Sequence, residues 1–295
     1  MKIFVIGSKG QLGWELCRRG KDRGFDILGL DLPEFDITHP SQVQSQVNGK
    51  GIFLVINASA YTAVDQAETQ EELAFKVNCD GPAYLASSCA RAKVPLFHIS
   101  TDYVFDGTKK TPYKETDPVC PLGVYGKSKA DGDERVRTLL KEHIIIRTAW
   151  LYGVHGNNFV RTMLRLGRAQ EELRVVCDQY GCPTFAGDLA DALLTLAGSL
   201  IKGEDIAWGT YHFCGKGATT WHGFAKMIFE LAGKHTSLRL KELHAITADQ
   251  YPMPAKRPVM SALDCSLIEK RFGISPRPWQ EVLKNIMPHL LSDDH

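Results

Sequence analysis

Lys2-Ile3-Phe4-Val5-Ile6-Gly7-Ser8-Lys9-Gly10-Gln11-Leu12-Gly13 runs from an apolar stretch of strand length straight into three glycines, each three positions from the next. From Gln11 onward, over 11–19, apolar side chains recur at helical spacing. A strand that turns through glycines into a helix has a physical use. Gly7 permits the tight turn, Gly10 lets a pyrophosphate approach the amides at the helix N-terminus, and Gly13 lets helix and strand pack closely. The competing reading is a glycine-rich turn that binds nothing.

Downstream, strand-type runs at 26–31, 53–57, 95–100 and 143–147 alternate with helical patterns at 71–92 and 126–141. Such alternation implies right-handed crossovers and a parallel sheet. Runs as apolar as Ile144-Ile145-Ile146 suit strands covered on both faces. After Trp150 the rhythm changes to a Gly/Asn-rich turn at 152–158, a helix near 159–169, a strand at 174–177 and a helix near 188–198. A strand at 211–214, a Thr220-capped helix at 221–232 and a proline-rich stretch at 251–258 follow. The expected fold class is α/β, a Rossmann-type doubly wound parallel sheet with a smaller α+β substrate-binding cap on its C-terminal side. Residues 1–149 form the dinucleotide-binding domain, with 173–200 returning to it, and 150–172 with 201–295 form the substrate-binding region.

Composition narrows the partners. Of 295 residues 44% are apolar, so disorder is excluded, and 35 Lys plus Arg against 34 Asp plus Glu leave no bulk attraction for nucleic acid or an anionic membrane. No apolar run has membrane-spanning length, and the N-terminus does not read as a signal peptide. Cys17, Cys79, Cys89, Cys120, Cys177, Cys182, Cys214 and Cys265 are scattered without a Cys-x-x-Cys, which reads as reduced, mostly core, thiols of a cytoplasmic protein. The ten histidines show no zinc spacing, so no metal is expected.

Two further signals point to chemistry. Asp31 ends the second strand, where a carboxylate accepts hydrogen bonds from an adenosine ribose in NAD-type sites; its plain alternative is a turn-forming Asp. Lys9 in the glycine loop would instead suit the extra phosphate of NADP, so NADPH and NADH both stay open. Tyr125 and Lys129 stand four apart, on one helix face. A phenol near pKa 10 is a poor acid or base at neutral pH, and a nearby ammonium lowers its pKa. Thr101, just after the fourth strand, offers a hydroxyl to the same substrate oxygen. Read without the glycine loop, Tyr125 is a packed aromatic and Lys129 a solvated lysine.

Gly7-x-x-Gly10-x-x-Gly13 with Tyr125-x-x-x-Lys129 resembles the extended short-chain dehydrogenase/reductases. More narrowly, Ser100-Thr101-Asp102-Tyr103-Val104-Phe105-Asp106-Gly107, Tyr125-Gly126-Lys127-Ser128-Lys129 and Arg147-Thr148-Ala149-Trp150-Leu151-Tyr152-Gly153 are similar to the family of dTDP-4-dehydrorhamnose reductases. So are Gly156-Asn157-Asn158-Phe159, Asp178-Gln179-Tyr180-Gly181-Cys182-Pro183-Thr184 and Arg257-Pro258, and the likeness runs through nearly the whole chain.

The resemblance implies NAD(P)H-dependent reduction of the C4 ketone of dTDP-4-dehydro-6-deoxy-L-mannose to dTDP-L-rhamnose. Tyr125 would protonate the oxygen, Lys129 would lower the Tyr125 pKa and hold the nicotinamide ribose, and Thr101 would orient the carbonyl. Gln11, Leu12, Asp36, Ile37, Ala58, Ser59 and Ala60 fall where the family contacts cofactor, with Ser59 standing where relatives often have Ala or Gly. Thr62, Asp102 and Val104 would line the substrate pocket, and Trp150 would lie against the deoxysugar. Asn78 matches an asparagine that shapes the site, or is a polar residue at a helix bend. Asn158 and Arg257 would sit near the nucleotide; for Arg257 a surface salt bridge is an equal reading. Some relatives hold magnesium between subunits; Glu15 matches one ligand, but Gly187 leaves another position without a carboxylate. The implied partner is a small nucleotide sugar, and the resemblance allows a homodimer. Alternatives are an epimerase, a dehydratase, a talose-forming reductase, or a regulatory subunit of the methionine adenosyltransferase type. Dehydratases tend to carry an acidic pair after the Thr, and here Tyr103 follows Asp102.

Overall fold

The computed structural model describes residues 1–49 and 51–292. Six strands, β1 (Lys2–Ile6), β2 (Asp26–Leu30), β3 (Ile52–Asn57), β4 (Leu96–Thr101), β5 (His143–Thr148) and β6 (Gly209–His212), form one sheet in the order β2-β1-β3-β4-β5-β6. Every neighbouring pair is parallel. The helices that matter here are α1 (Gln11–Asp22), α2 (Pro40–Val47), α3 (Gly81–Ala92), α4 (Val124–Leu139), α5 (Phe159–Ala169), α6 (Ala186–Ile201), α7 (Trp221–Ala232) and α8 (Trp279–Ser292).

Alternation along the strands divides the core. Ile3 and Val5 on β1, Leu54 and Ile56 on β3, and Ile144 and Ile146 on β5 point to the side covered by Leu12 and Leu16 of α1 and Leu189, Leu193 and Leu196 of α6. Phe4, Ile6, Val55 and Ile145 point the other way, onto Val43 of α2, Leu85 of α3 and Val136 of α4. Successive side chains of a strand face opposite sides, so apolar strands bury both sheet faces only when helices cover both. Chain order reverses at β1, whose neighbours β2 and β3 lie on either side, and this opens a crevice beyond the strands' carboxyl ends.

A second core brings together Val160 and Leu164 of α5, Phe224 and Ile228 of α7, and Val282, Leu283 and Met287 of α8. Thr220 caps α7, its hydroxyl accepting from the Gly223 amide at 3.0 Å. Two segments sit elsewhere than the sequence pattern placed them. Gly209–His212, expected in the C-terminal region, is the edge strand of the main sheet, and Glu172–Val176 pairs with Glu242–Ile246 outside it. The helix expected over 71–92 is a run interrupted by a π-helical turn at Lys76–Asp80. The cysteines are free; Cys79, Cys89, Cys182 and Cys214 are buried as expected, whereas Cys120 is exposed. Among the described residues no helix is long and apolar enough to cross a membrane.

Candidate active site

The crevice at the chain reversal holds a cavity of about 660 Å³. Gly7, at the end of β1, has φ +79°, and a Cβ there would stand 2.7 Å from the Ser59 amide nitrogen in the loop after β3. A side chain at Gly13 would come within 2.0 Å of the Gly7 carbonyl oxygen, so this glycine is required by packing. Gly10 differs: its Cβ would meet nothing nearer than the Gly7 oxygen at 3.4 Å. Among the described residues no neighbour requires glycine at that position and no side chain caps the N-terminus of α1, beside which the bare Gly10 backbone lines the cavity. A pyrophosphate arriving at those amides would need that bareness.

Gln11 and Leu12, with Asp31, Asp36 and Ile37 after β2, Ala58, Ser59, Ala60 and Thr62 after β3, Thr101 at the end of β4 and Asp102 just after it, also line the cavity. Tyr125 and Lys129 of α4 and Trp150 complete the wall. Asp31 and Lys9, set against each other by the sequence, are joined at one rim. The Asp31 carboxylate accepts from the Lys9 and Leu32 amides, each at 2.8 Å. The Lys9 ammonium donates to the Leu32 carbonyl at 2.7 Å and to Glu34 at 2.9 Å. Asp36 accepts from the Thr38 amide at 2.8 Å, shaping the turn before Pro40–Val47.

Three buried polar atoms in these walls have no hydrogen-bond partner among the described residues: Gln11 Oε1, Asp102 Oδ2 and Thr148 Oγ1. A buried polar group left alone costs about 1–3 kcal/mol. Together with the open glycine backbone, they make a cradle that fits a polar dinucleotide.

Thr101 ends β4, its hydroxyl donating to Asp102 Oδ1 at 3.1 Å and accepting from the Tyr103 amide at 3.2 Å. Burial pushes the Asp102 carboxyl up to about 6. Lys129 is almost wholly enclosed, and its ammonium donates to the Ile99 carbonyl at 2.6 Å. Burial draws it down to about 8, with the Asp133 carboxylate pulling the other way. The expectation that Lys129 depresses the Tyr125 pKa is corrected here. Burial dominates and pushes the phenol up to about 12, opposed by a hydrogen bond with Thr101 and reinforced by the charges of Asp102 and Asp133. Such a phenol holds its proton at neutral pH, as a donor must and a base must not.

Asn78 does not line the cavity itself. It sits in the π-helical turn, a feature frequent at functional sites, and its amide clamps Tyr61 through the Tyr61 N–H (2.9 Å) and C=O (3.0 Å) while donating to Ser128 on α4 at 3.1 Å. Trp150 has φ +46°, a strained conformation for a bulky residue that costs of order 1–3 kcal/mol. Its indole stacks on Trp221 with centroids 3.5 Å apart, and its rim lies so close to Gly181 that a Cβ there would approach to 2.3 Å.

Three expected residues stand apart from this cavity. Val104 is fully buried beneath it, packed with Phe105, Tyr113 and Ala149. Asn158 is spent as the cap of α5, accepting from the Arg161 amide at 3.1 Å and donating to the Gly153 carbonyl at 2.9 Å; its neighbour Asn157 lines the cavity instead. Arg257 forks onto Asp65 at 2.7 and 3.1 Å and lines a second cavity of about 640 Å³ with Phe159, Arg174, Gln179 and Tyr251. Trp221 borders both cavities, and no sequence spacing announced it. His155, also unannounced, stacks on Trp14 and hydrogen-bonds the Lys9 carbonyl at 2.9 Å, tying the 153–158 turn to the glycine loop. Glu15 is buried and paired with Arg18 and Arg19 at 2.9 and 2.7 Å, and Asp188 pairs with Arg277.

Likeness to known proteins extends over nearly the whole chain. A family model described as the RmlD substrate binding domain matches residues 1–292. A dTDP-4-dehydrorhamnose reductase of Aggregatibacter actinomycetemcomitans is 46% identical over 97% of this chain and 98% of its own. A crystal structure of a dTDP-4-dehydrorhamnose reductase from Clostridium acetobutylicum superposes with a TM-score of 0.92 at 40% identity, covering 99% of this chain and all of that one. The Bacillus anthracis dTDP-4-dehydrorhamnose reductase, solved in complex with NADP, gives 0.89 at 35% identity over 96% of this chain and 97% of its own.

Proposed function

Since this chain belongs to the RmlD substrate-binding family, the family of dTDP-4-dehydrorhamnose reductases, we propose that it reduces the C4 ketone of dTDP-4-dehydro-6-deoxy-L-mannose to dTDP-L-rhamnose with Tyr125 as proton donor. It is an NAD(P)H-dependent oxidoreductase of that family. The observation that carries the finer reading is the meeting of Thr101, Tyr125 and Lys129 in the wall of the cavity that begins at the glycine loop.

What a reduced nicotinamide brings when bound is the hydride for the ketone carbon. Gly7, Gly10 and the first turn of α1 receive the pyrophosphate, while Asp31 and Lys9 stand at the rim for the adenosine ribose and its substituent. Lys129 has one N–H on the Ile99 carbonyl and two remaining donors for the nicotinamide ribose and the phenol side of the site. Thr101 orients the carbonyl oxygen, and Tyr125 delivers its proton there as negative charge develops. Trp150 and Trp221 give the sugar's methyl end an apolar wall, and the adjoining cavity with Arg257 takes the nucleotide diphosphate.

The test follows nicotinamide absorbance with purified protein, NADPH or NADH, and the ketosugar generated in place. Oxidation that depends on ketosugar and falls about 10²–10⁴-fold in Tyr125→Phe, with cofactor affinity retained, is the expected result. Full activity in Tyr125→Phe would overturn the donor assignment, and cofactor binding without turnover would favour a regulatory subunit or another sugar.

A further inference from the structure

From Ser59 and Ser100 in the cavity lining runs a chain of buried polar groups that the reaction as described leaves unused. Asn57, His98, Ser100, Asp133 and Arg147 are each at most 3% exposed. The chain starts at the cofactor loop, where Asn57 Oδ1 accepts from the Ser59 amide at 3.1 Å and the Ser59 hydroxyl at 2.7 Å. A backbone N–H can only donate, so the Asn57 oxygen is fixed and its NH₂ faces His98 Nδ1 at 3.1 Å. His98 Nδ1 therefore accepts, and the ring's proton sits on Nε2. That Nε2–H points between Lys129 Nζ at 3.5 Å and Asp133 Oδ1 at 3.7 Å.

An N–H cannot accept a proton from an ammonium. His98 thus closes the inner side of Lys129 to its own N–H groups, and with one of them on the Ile99 carbonyl the other two are turned toward the cavity. Burial holds His98 well below its ordinary value, so it stays neutral. Among the described residues the carboxylate that acts on both enclosed cations is Asp133, which accepts from Ser100 at 2.8 Å and from Arg147 Nε at 3.4 Å while its Oδ1 has no hydrogen-bond partner.

We infer that Asp133 and His98 are positioning residues for the reduction: Asp133 keeps the Lys129 ammonium charged, and His98, its tautomer set by Asn57 from the cofactor loop, aims that ammonium into the cavity. The inference rests on the proposed role of Lys129. The ionisable groups around this ammonium are His98 on β4 with Asp102 in the turn beyond it, Tyr125 and Asp133 on its own helix, and His143 and Arg147 on β5; Asp131 and Arg135 face Cys79 and Asp80 on the helix's other side. Of these, only Asp133 opposes the burial that draws Lys129 down.

The sign of the effect follows. Removing the carboxylate destabilises the ammonium, so the proton leaves at lower pH. In Asp133→Asn the alkaline limb of kcat/KM moves down by about one pH unit or more, an approximately tenfold loss on the alkaline side that fades toward pH 6, and Asp133→Glu restores it. NADPH affinity, measured across the same pH range, shows the same displacement. A rate that falls equally at every pH, with the limb unmoved, would reduce Asp133 to a structural role and overturn the inference. Should Asp133→Asn not fold because Arg147 is left unpaired, the double variant Asp133→Asn/Arg147→Gln carries the test with charge balance restored. Were the unaltered protein to bind NADPH yet ignore the ketosugar, the substrate reading would fail while the binding limb still decided this one.

Discussion

Asp102 shows how much a single residue in this cavity costs the fold. Its carboxyl is buried, one oxygen has no partner, and its folded value of about 6 lies roughly two units above that of an exposed aspartate. A raised carboxyl means the folded state binds more protons than the unfolded between about pH 4 and 6, so stability falls as pH rises through that window and stays lowered above it. Asp102→Asn removes the buried charge, and a thermal melt at pH 8 should show it more stable by up to about 3 kcal/mol, with the gain gone near pH 4. Equal melting temperatures at pH 8 would show that the carboxylate is solvated after all. Placing such a residue beside Thr101 and Tyr125 is a cost that a binding cavity bears for its ligand rather than for its fold. Residue identity was the part of the site most open to reading. Thr101, Tyr125 and Lys129 come from adjacent segments that the parallel order of β4 and the following helix brings together. The Trp150–Trp221 stack and the His98–Asp133 cluster rest on side chains distant in sequence or on tautomers, which no spacing encodes.

At the scale of elements, the glycine loop separates structural from ligand-driven sequence choice. Gly13→Ala drives a methyl into the Gly7 carbonyl and should prevent the β1–α1 unit from packing; Gly10→Ala meets only that oxygen at 3.4 Å and should fold. Thermal melts with cofactor titrations check the pair: Gly10→Ala should melt within about 1 kcal/mol of the parent yet lose most of its cofactor affinity. Retained affinity would remove the pyrophosphate from this loop. The loop was legible because strand, turn and helix are contiguous and each obeys a local rule. Gly209–His212 was not, because membership of a sheet edge depends on which partner lies alongside, and four residues carry too little pattern to say. The π-helical turn at Lys76–Asp80 escaped for a related reason: a helix widened by one residue keeps its apolar face, and only the bonds of Asn78 to Tyr61 and Ser128 reveal what the widening holds in place.

The whole molecule sets two cavities side by side, sharing Trp221, with the sheet's crevice supplying one and the α5–α7 region contributing to the other. A ligand of two chemically distinct halves, a deoxysugar and a nucleotide diphosphate, matches that division. In the proposed reaction hydride reaches the sugar's C4 while the oxygen takes its proton from Tyr125. Turnover with nicotinamide carrying deuterium at its transferable position, followed by magnetic resonance of the product, tests it directly. One deuterium is expected on C4 in the configuration of L-rhamnose, and none elsewhere on the ring. Deuterium at another carbon, a C4 of talose configuration, or a product without deuterium would contradict it.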